Sequence, residues 1–320
     1  EQRLFVIKQL QKENKDASKL QKIYDQLKTS KPNINQVEPE LDSRFIKITL
    51  ENETTFDGWI TLTCLGNKLK LEIPFKKHKH FNKMLSKGTI KSGIRLSNKM
   101  VTFMFDIEDV NPVTEGITLG IDIGMNTALA CSNGQMIRED KHGHSYKSIC
   151  ERLAGKKNNS KGFKRSELHR SNYINWTVNQ INFNNVLEIC REDIKNLRKG
   201  RSSSREMCRW NYAELFDKLD MRIRETGVQL TKINTTYTSQ RCSCCGWVRK
   251  SNRKKMPSGC EFFKCTKCAF ECNADLNASI NIASKLKPIG NQQRLKKANI
   301  KGFYWLTLDQ ERTVPDALKN

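Results

Sequence analysis

Along the first 30 positions, Leu20, Ile23, Tyr24 and Leu27 fall at i, i+3, i+4 and i+7 with lysines on the remaining faces. That period predicts a helix from residue 1 to about residue 30, ended by Ser30, Pro32 and Asn33. From Arg44 to Glu108 the pattern shortens to alternating runs: Phe45–Leu50, Trp59–Leu65, Lys68–Phe75, Ile90–Leu96 and Val101–Ile107. Short alternating strands in succession predict a small β-barrel or sandwich. Val110, Asn111 and Pro112 break the pattern, and a new unit is expected to open with a strand, a turn at Gly124–Asn126 and a second strand over Gly116–Ala130.

Arg138–Arg170 is polar and basic without a clear period, and a helix-like segment follows around Asn172–Phe183, then a strand at Val186–Cys190. Arg198–Arg205, with Gly200 and three consecutive serines, predicts a mobile loop; it and the basic run Lys156–Arg165 suit either contact with nucleic acid or plain solvation. A helix over Tyr212–Glu225 is closed by Gly227, a strand over Val228–Ile233 follows, and Asp275–Ser284 reads as a helix with Leu276, Ile280 and Ala283 on one face. In the tail, Lys285–Asn320, the aromatic run Phe303, Tyr304 and Trp305 is expected to pack back on the body rather than stack on bases.

A chain of 320 residues is long enough for two or three such units. Hydrophobic residues make up 37% of it, and no run of 18 apolar residues occurs, which excludes an obvious membrane span. Glu1–Lys8 lacks the apolar stretch of a secretory signal, and the absence of an initiating Met predicts a fragment. Charge changes the picture most: 57 basic against 34 acidic residues give +23, spread over nearly every segment. An extended basic surface points to a polyanion, nucleic acid before an anionic membrane. Twelve cysteines without an export signal are expected to be thiols in a cytoplasmic, reducing compartment rather than a disulfide framework.

Their spacing points to metal. Cys242-x-x-Cys245 and Cys265-x-x-Cys268 stand 19 residues apart, the two-knuckle pattern that closes four thiolates around one Zn²⁺. Trp247–Arg249 and Glu261–Lys264 are the expected hairpin arms, and Cys244, Cys260 and Cys272 are bystanders because using them breaks the paired spacing. A closed four-thiolate site holds a fold and activates no water, so any catalysis must lie elsewhere. The pairs His78/His80 and His142/His144 sit in basic, loop-like surroundings and read as solvent-exposed histidines.

Phosphodiester hydrolysis by metal ions needs carboxylates converging from distant segments. In Gly116–Gly124 the apolar positions Ile117, Leu119, Ile121 and Ile123 share one strand face and put Asp122 on the other. A turn acid is the plain alternative for Asp122, and its apolar flanks tilt the reading toward function. Asp275 opens a helix just after the cysteine block, where an acid also serves the helix dipole. Glu192 ends a strand-like run that would reach the same sheet edge as Asp122, and Glu188 lies on the same face by period two and competes with it.

Gly-Ile-Asp122-Ile-Gly, Glu192-Asp193-Ile194-Lys195-Asn196-Leu197, Tyr237-Thr238-Ser239-Gln240-Arg241-Cys242-Ser243-Cys244-Cys245-Gly246 and Asn273-Ala274-Asp275-Leu276-Asn277-Ala278 follow in that order. Over residues 116 to 283 the chain thereby resembles the transposon-encoded TnpB proteins and their relatives, the compact type V CRISPR effectors. The resemblance implies an α/β fold: an RNase H-like (RuvC) nuclease domain over 113–236 and 273–286, split by a zinc ribbon at 237–272. Upstream it implies a helical recognition-lobe segment (1–40) and a β-barrel wedge (41–112), with a basic tail at 287–320. By the same resemblance Asp122, Glu192 and Asp275 would bind two catalytic Mg²⁺, and the partners would be a guide RNA and target DNA, double- or single-stranded, in a prokaryotic or phage-infected cell. A homodimer is compatible with it. The family's smooth apolar strand before its glutamate is interrupted here by Cys190-Arg191, which keeps Glu188 open. The rival functions are a guide-directed DNA-binding repressor that no longer cuts and a zinc-ribbon protein that assists transposition.

Overall fold

The computed structural model describes residues 2–13, 15–29, 37–50, 54–64, 66, 69–97, 99–194, 204–255, 261–286, 302–307 and 310. The chain divides into two compact units, Glu1–Asp109 and Val110–Asn320. Most of the expected loop at Arg198–Arg205, Cys260 and most of the tail lie outside the described residues.

In the first unit the single expected helix is two, α1 (Gln2–Lys12) and α2 (Ser18–Thr29). The reason is local: the Asp16 carboxylate accepts from the Ser18 amide at 2.9 Å and starts a fresh helix there. The strands that follow are β1 (Glu40–Leu41), β2 (Ile46–Leu50), β3 (Gly58–Thr63), β4 (Lys70–Phe75), β5 (Gly88–Leu96) and β6 (Val101–Ile107), with α3 (Lys79–Leu85) before β5. They form two three-stranded antiparallel sheets, β2-β3-β4 and β1-β5-β6. Ile46 and Ile60 from one and Ile94 from the other meet in one core. Among the described residues no hydrogen-bonded ladder joins the two sheets, so the expected barrel is not closed and the packing follows the sandwich alternative. No pattern of residues announces α3, whose Phe81 stacks edge-on against Phe103 and Phe105 and whose N-terminus is capped by His78 Nδ1 accepting from the Phe81 amide.

The second unit is built on a mixed sheet in the order β11-β10-β7-β8-β9. Its strands are β7 (Ile117–Ile123), β8 (Leu129–Cys131), β9 (Met136–Ile137), β10 (Val186–Glu192) and β11 (Gln229–Ile233). β7, β8 and β9 are antiparallel neighbours, whereas β10 and β11 run parallel to β7 on its other side. The connections are α4 (Tyr146–Ala154), α5 (Lys161–Asn179), α6 (Arg205–Arg209) and α7 (Tyr212–Thr226). α4 and the first half of α5 occupy the stretch that read as polar and aperiodic.

The period of two sorts the strands between two faces. Leu119, Ile121 and Ile189 point into the main core with Ile149 of α4, Tyr173 and Ile174 of α5 and Leu215 and Leu219 of α7. Arg191 faces the same way without breaking that core. Its guanidinium donates to both Asp220 oxygens at 2.9 and 2.7 Å and lies 4.0 Å over the Phe216 ring. The Cys190-Arg191 interruption is thus accommodated by a paired charge on the α7 side of the sheet.

The opposite face carries Gly120, Asp122, Glu188, Cys190 and Glu192, and α8 (Ala274–Ala283) lies across it, with Cys190 against Ile282. The approach is close because β7 offers a glycine. A Cβ at Gly120 would stand 2.0 Å from the Ser279 carbonyl oxygen and 2.5 Å from the Ala283 nitrogen. Gly120→Ala is therefore expected to lift α8 and cost about 1–3 kcal/mol or more, as overpacking does. Hydrogen exchange should show α8 amides losing protection before those of β7; unchanged α8 protection would contradict the close seating.

Candidate active site and metal centre

β10 and β7 pair in register with Cys190 opposite Gly120 and Arg191 opposite Ile121, so the ladder carries Glu192 to the level of Asp122. Asp275 reaches the same place from α8, whose N-cap Asn273 accepts from the Asp275 and Leu276 amides at 2.9 and 3.2 Å. The carboxylates crowd at Asp122. Asp122 is held well above the ordinary carboxylate range, first by burial and then by the charges of Glu192 and Asp275. Burial likewise raises Glu192, against the pull of a hydrogen bond from Thr238 Oγ1 and the charge of Arg253. Such a cluster is short of positive charge, and its hard oxygen ligands suit a hard divalent cation such as Mg²⁺.

Glu188 does not share that cluster's situation. It stands at the level of Thr118, farther back along β7, and its carboxylate takes hydrogen bonds from Thr118 and Thr231 and an ion pair from Lys285. These partners hold its pKa below the ordinary value although burial alone raises it.

Arg253 is a residue that sequence reasoning missed. It lies on β13 (Arg253–Lys255), ion-pairs with Glu261 and places Nη2 3.5 Å from Asp275 Oδ1. No local pattern marked it among 57 basic residues. Thr238 lies in the stretch Tyr237–Gly246, where nothing local marks it as the partner of Glu192.

The four cysteines meet as the spacing requires: all four sulfurs lie within 4.8 Å of one another, with Cys242 to Cys268 at 3.7 Å and Cys245 to Cys265 at 3.6 Å. A tetrahedral zinc with bonds of about 2.3 Å sets its sulfurs about 3.8 Å apart, so the donor set fits. Of the bystanders, Cys244 is exposed and Cys272 packs in the ribbon's small core.

The arms depart from expectation. β12 (Trp247–Val248) does not pair with β14 (Glu261–Lys264); it pairs with β16 (Phe303–Tyr304) of the tail. β14 instead sits between β13 and β15 (Glu271–Asn273), because the second knuckle, at Cys265–Cys268, closes a hairpin between β14 and β15. The aromatic run does pack back: Tyr304 lies edge-on to Trp247, and Trp305 is buried.

A fully buried arginine ties the cysteines to the acids. Arg241, immediately before Cys242, donates to Asn281 of α8 and to the Trp305 carbonyl. Asn277 and Asn281 donate back to its carbonyl at 2.7 Å each, and the Ser243 amide donates to Asn277. The first knuckle is thereby fastened to the helix that carries Asp275.

The histidines divide. His78 caps a helix, whereas His144, expected in solvent, is half-buried with Asp140 and with His169 of α5. Among the described residues no helix is long and apolar enough to cross a membrane.

Comparison with known proteins agrees with this geometry. Residues 212–282 match the family model for the Cas12f1-like TNB domain. A CRISPR-associated endodeoxyribonuclease Cas12f1 of Sulfoacidibacillus thermotolerans is 42% identical over 92 residues, 29% of this chain and 20% of the relative. A Cas12f1 of an uncultured archaeon is 26% identical over 245 residues, 62% of this chain and 44% of the relative. A TnpB-like protein of Methanocaldococcus jannaschii is 25% identical over 123 residues, 37% of this chain and 42% of that protein. The chain thus spans less than half the length of these relatives. In fold it is similar to the Cas12f1 chain of a Cas12f1–sgRNA–target DNA complex, with a TM-score of 0.54 and 19% identity over 82% of this chain and 68% of that one. In its TNB-like segment, in sequence and in fold, the chain is similar to TnpB-like proteins and compact type V effectors.

Proposed function

We propose that this chain is an RNA-guided DNA endonuclease whose second unit is an RNase H-like (RuvC) nuclease domain interrupted by a four-cysteine zinc ribbon. The observation that carries this reading is the convergence of Asp122, Glu192 and Asp275, from β7, β10 and α8, on one sheet face, where the charges of Glu192 and Asp275 add to burial in raising the proton affinity of Asp122. Three antiparallel strands extended by two parallel ones, with a helix across the acidic face, support the RNase H-like assignment. The two sheets of the first unit would serve as the wedge and α1 and α2 as part of a recognition lobe. Intact acids at all three positions argue against a repressor that has lost cleavage.

In this reading the three carboxylates hold two Mg²⁺, which would polarise the scissile phosphate and lower the pKa of the attacking water. Glu192 is positioned by Thr238, and Asp275 by the Asn273 cap. Arg253, beside Asp275, would supply a fixed positive charge at the acidic cluster. The thiolates of Cys242, Cys245, Cys265 and Cys268 bind Zn²⁺ structurally. The surplus of positive charge would hold a guide–target heteroduplex by its backbone while base pairing reads the sequence.

The test is to purify the chain from cells carrying its own flanking DNA, sequence the RNA that accompanies it, and assay Mg²⁺-dependent cleavage of a matching target. Glu192→Gln is expected to abolish RNA-dependent cleavage, whereas Glu188→Gln should leave it within about threefold while costing about 1–3 kcal/mol of stability through the stranded Lys285, Thr118 and Thr231. Loss of cutting only in the Glu188 variant would reverse the assignment. RNA-dependent binding without cutting by the wild type would favour the repressor, and absence of bound RNA would sink both.

A further inference from the structure

Away from the acids and the cysteines, the second unit holds another group of metal-ligating atoms. Asp140, His144 and His169 each offer one ligand atom, and all three atoms lie within 4.8 Å of one another. We propose that these residues form a second metal site, for a late first-row divalent cation of the zinc class. The donor set, two imidazoles and a carboxylate, is the kind such ions select.

The loop is shaped to present these atoms. Asp140 Oδ1 accepts from the His142 and His144 amides at 2.8 and 3.0 Å, which fixes the carboxylate and turns Oδ2 toward the His144 ring. The turn is closed by the Asp140 amide donating to the His144 carbonyl at 3.0 Å, by the Gly143 amide donating to the Asp140 carbonyl at 2.9 Å and by the bridge between Glu139 and Ser145, with Gly143 at φ 72°. A carboxylate anchored through one oxygen by backbone amides is an oriented ligand.

The separations suit a shared ion. His144 Nδ1 and Asp140 Oδ2 stand 3.4 Å apart, long for a hydrogen bond. Two ligands at about 2.0–2.1 Å from one tetrahedral ion lie about 3.3–3.4 Å apart. The His169 ring meets the His144 ring edge to face at 4.9 Å between centroids. Beyond burial, the charges acting on His169 are those of His144, Arg152 and His142, which oppose its protonation, and of Asp140, which favours it. Three protein ligands leave a coordination position for water or for His142, whose ring centroid is 6.2 Å from that of His144.

What the ion would do follows from where the ligands lie. Asp140 and His144 belong to the turn between β9 and α4, and His169 to α5, so the metal staples that turn to the helix behind the main core. Sequence alone joined none of them, because His169 stands apart from both histidine pairs.

The test is zinc stoichiometry by mass spectrometry, with the full chain, wild-type at the proposed ligands, and each variant carrying Asp122→Asn and equilibrated at buffered micromolar free Zn²⁺ in a large excess of Mg²⁺, so that the acidic cluster takes up no zinc. Wild type and a His80→Ala control should hold two equivalents, and a His144→Ala/His169→Ala variant one. Co²⁺ loading should leave the thiolate charge-transfer bands intact in the double variant and remove the weaker imidazole–carboxylate bands. Should the double variant misfold, the wild-type chain still decides: a second equivalent of Zn²⁺ must shift the His144 and His169 ring nitrogens in NMR. One equivalent in the wild type, or two in the folded double variant, overturns the proposal.

Discussion

Asp122→Asn is expected to abolish Mg²⁺-dependent cleavage and, in the same protein without metal, to raise the melting temperature. Cleavage should fall at least about a thousandfold, because withdrawing one shared carboxylate removes several kcal/mol of metal-borne stabilisation of the transition state. The stability gain follows from the same crowding. Asp122 and Glu192 both have pKa values raised in the folded state, by burial first, with Glu192 and Asp275 adding to it at Asp122. A group raised in this way binds its proton more tightly folded than unfolded. Its stabilising protonation is complete below the unfolded carboxylate value of about 4 and is lost as pH rises through the folded value. The metal-free wild type should therefore lose stability as pH rises above about 4, and the asparagine variant should lose less. The two melting curves should converge toward pH 4, and saturating Mg²⁺ should stabilise the wild type far more than the variant. A variant that melts below the wild type at pH 7.5 without metal would show that Asp122 is held by favourable partners, and the acidic cluster would lose its claim to be a cation site.

That crowding is also where sequence and structure part company. A period of two put Asp122 on the face opposite Leu119 and Ile121, and the structure has it there because those two residues fill the main core. The same period could not choose between Glu188 and Glu192, which share a face; Lys285, from the far end of α8, is what neutralises the former. Arg191 looked like a flaw in the strand because its partner Asp220 is on a helix that follows it. Strands β2 to β6 of the first unit were legible to within a residue or two, since each half-buried strand shows its period locally, whereas β1, two residues long, is too short to show one. Their arrangement into two sheets was not, because sheet order depends on pairings between distant segments. Helix α4 did carry a signal, with Tyr146, Ile149, Cys150 and Leu153 buried at helical spacing, but four apolar positions were lost among the lysines around them. Arg253 and His169 had no local signature at all, each being defined only by what the fold brings against it.

Removing the zinc proposed for the four cysteines should have the largest effect on the fold, reaching the acids without touching them. The ribbon's own buried core is Cys242, Phe263, Cys265 and Ala274, too small to hold three short strands together. In isolated zinc modules the metal contributes about 10–16 kcal/mol of apparent folding energy, so Cys265→Ser or chelation is expected to unfold the segment from Tyr237 to Asn273. Three parts of the acidic site go with it: Arg253 on β13, Thr238 on Glu192, and Asn273, which caps α8 at Asp275. The buried Arg241 loses its neighbouring thiolates, whose charge opposes the burial that brings its pKa down to about 10. With that clamp loosened, Asn277 and Asn281 no longer fix α8 over Gly120. Cleavage should drop as far as in the Asp122 variant although Asp122 and Glu192 remain on their strands, and hydrogen exchange should show β7, β8 and β10 still protected while the ribbon exchanges freely. Cys244→Ser, at an exposed thiol outside the tetrahedron, should leave both cleavage and exchange unchanged. If the zinc-free chain still cuts at the wild-type rate, the ribbon is an appendage, and neither Arg253 nor Thr238 belongs to the machinery of the acidic site.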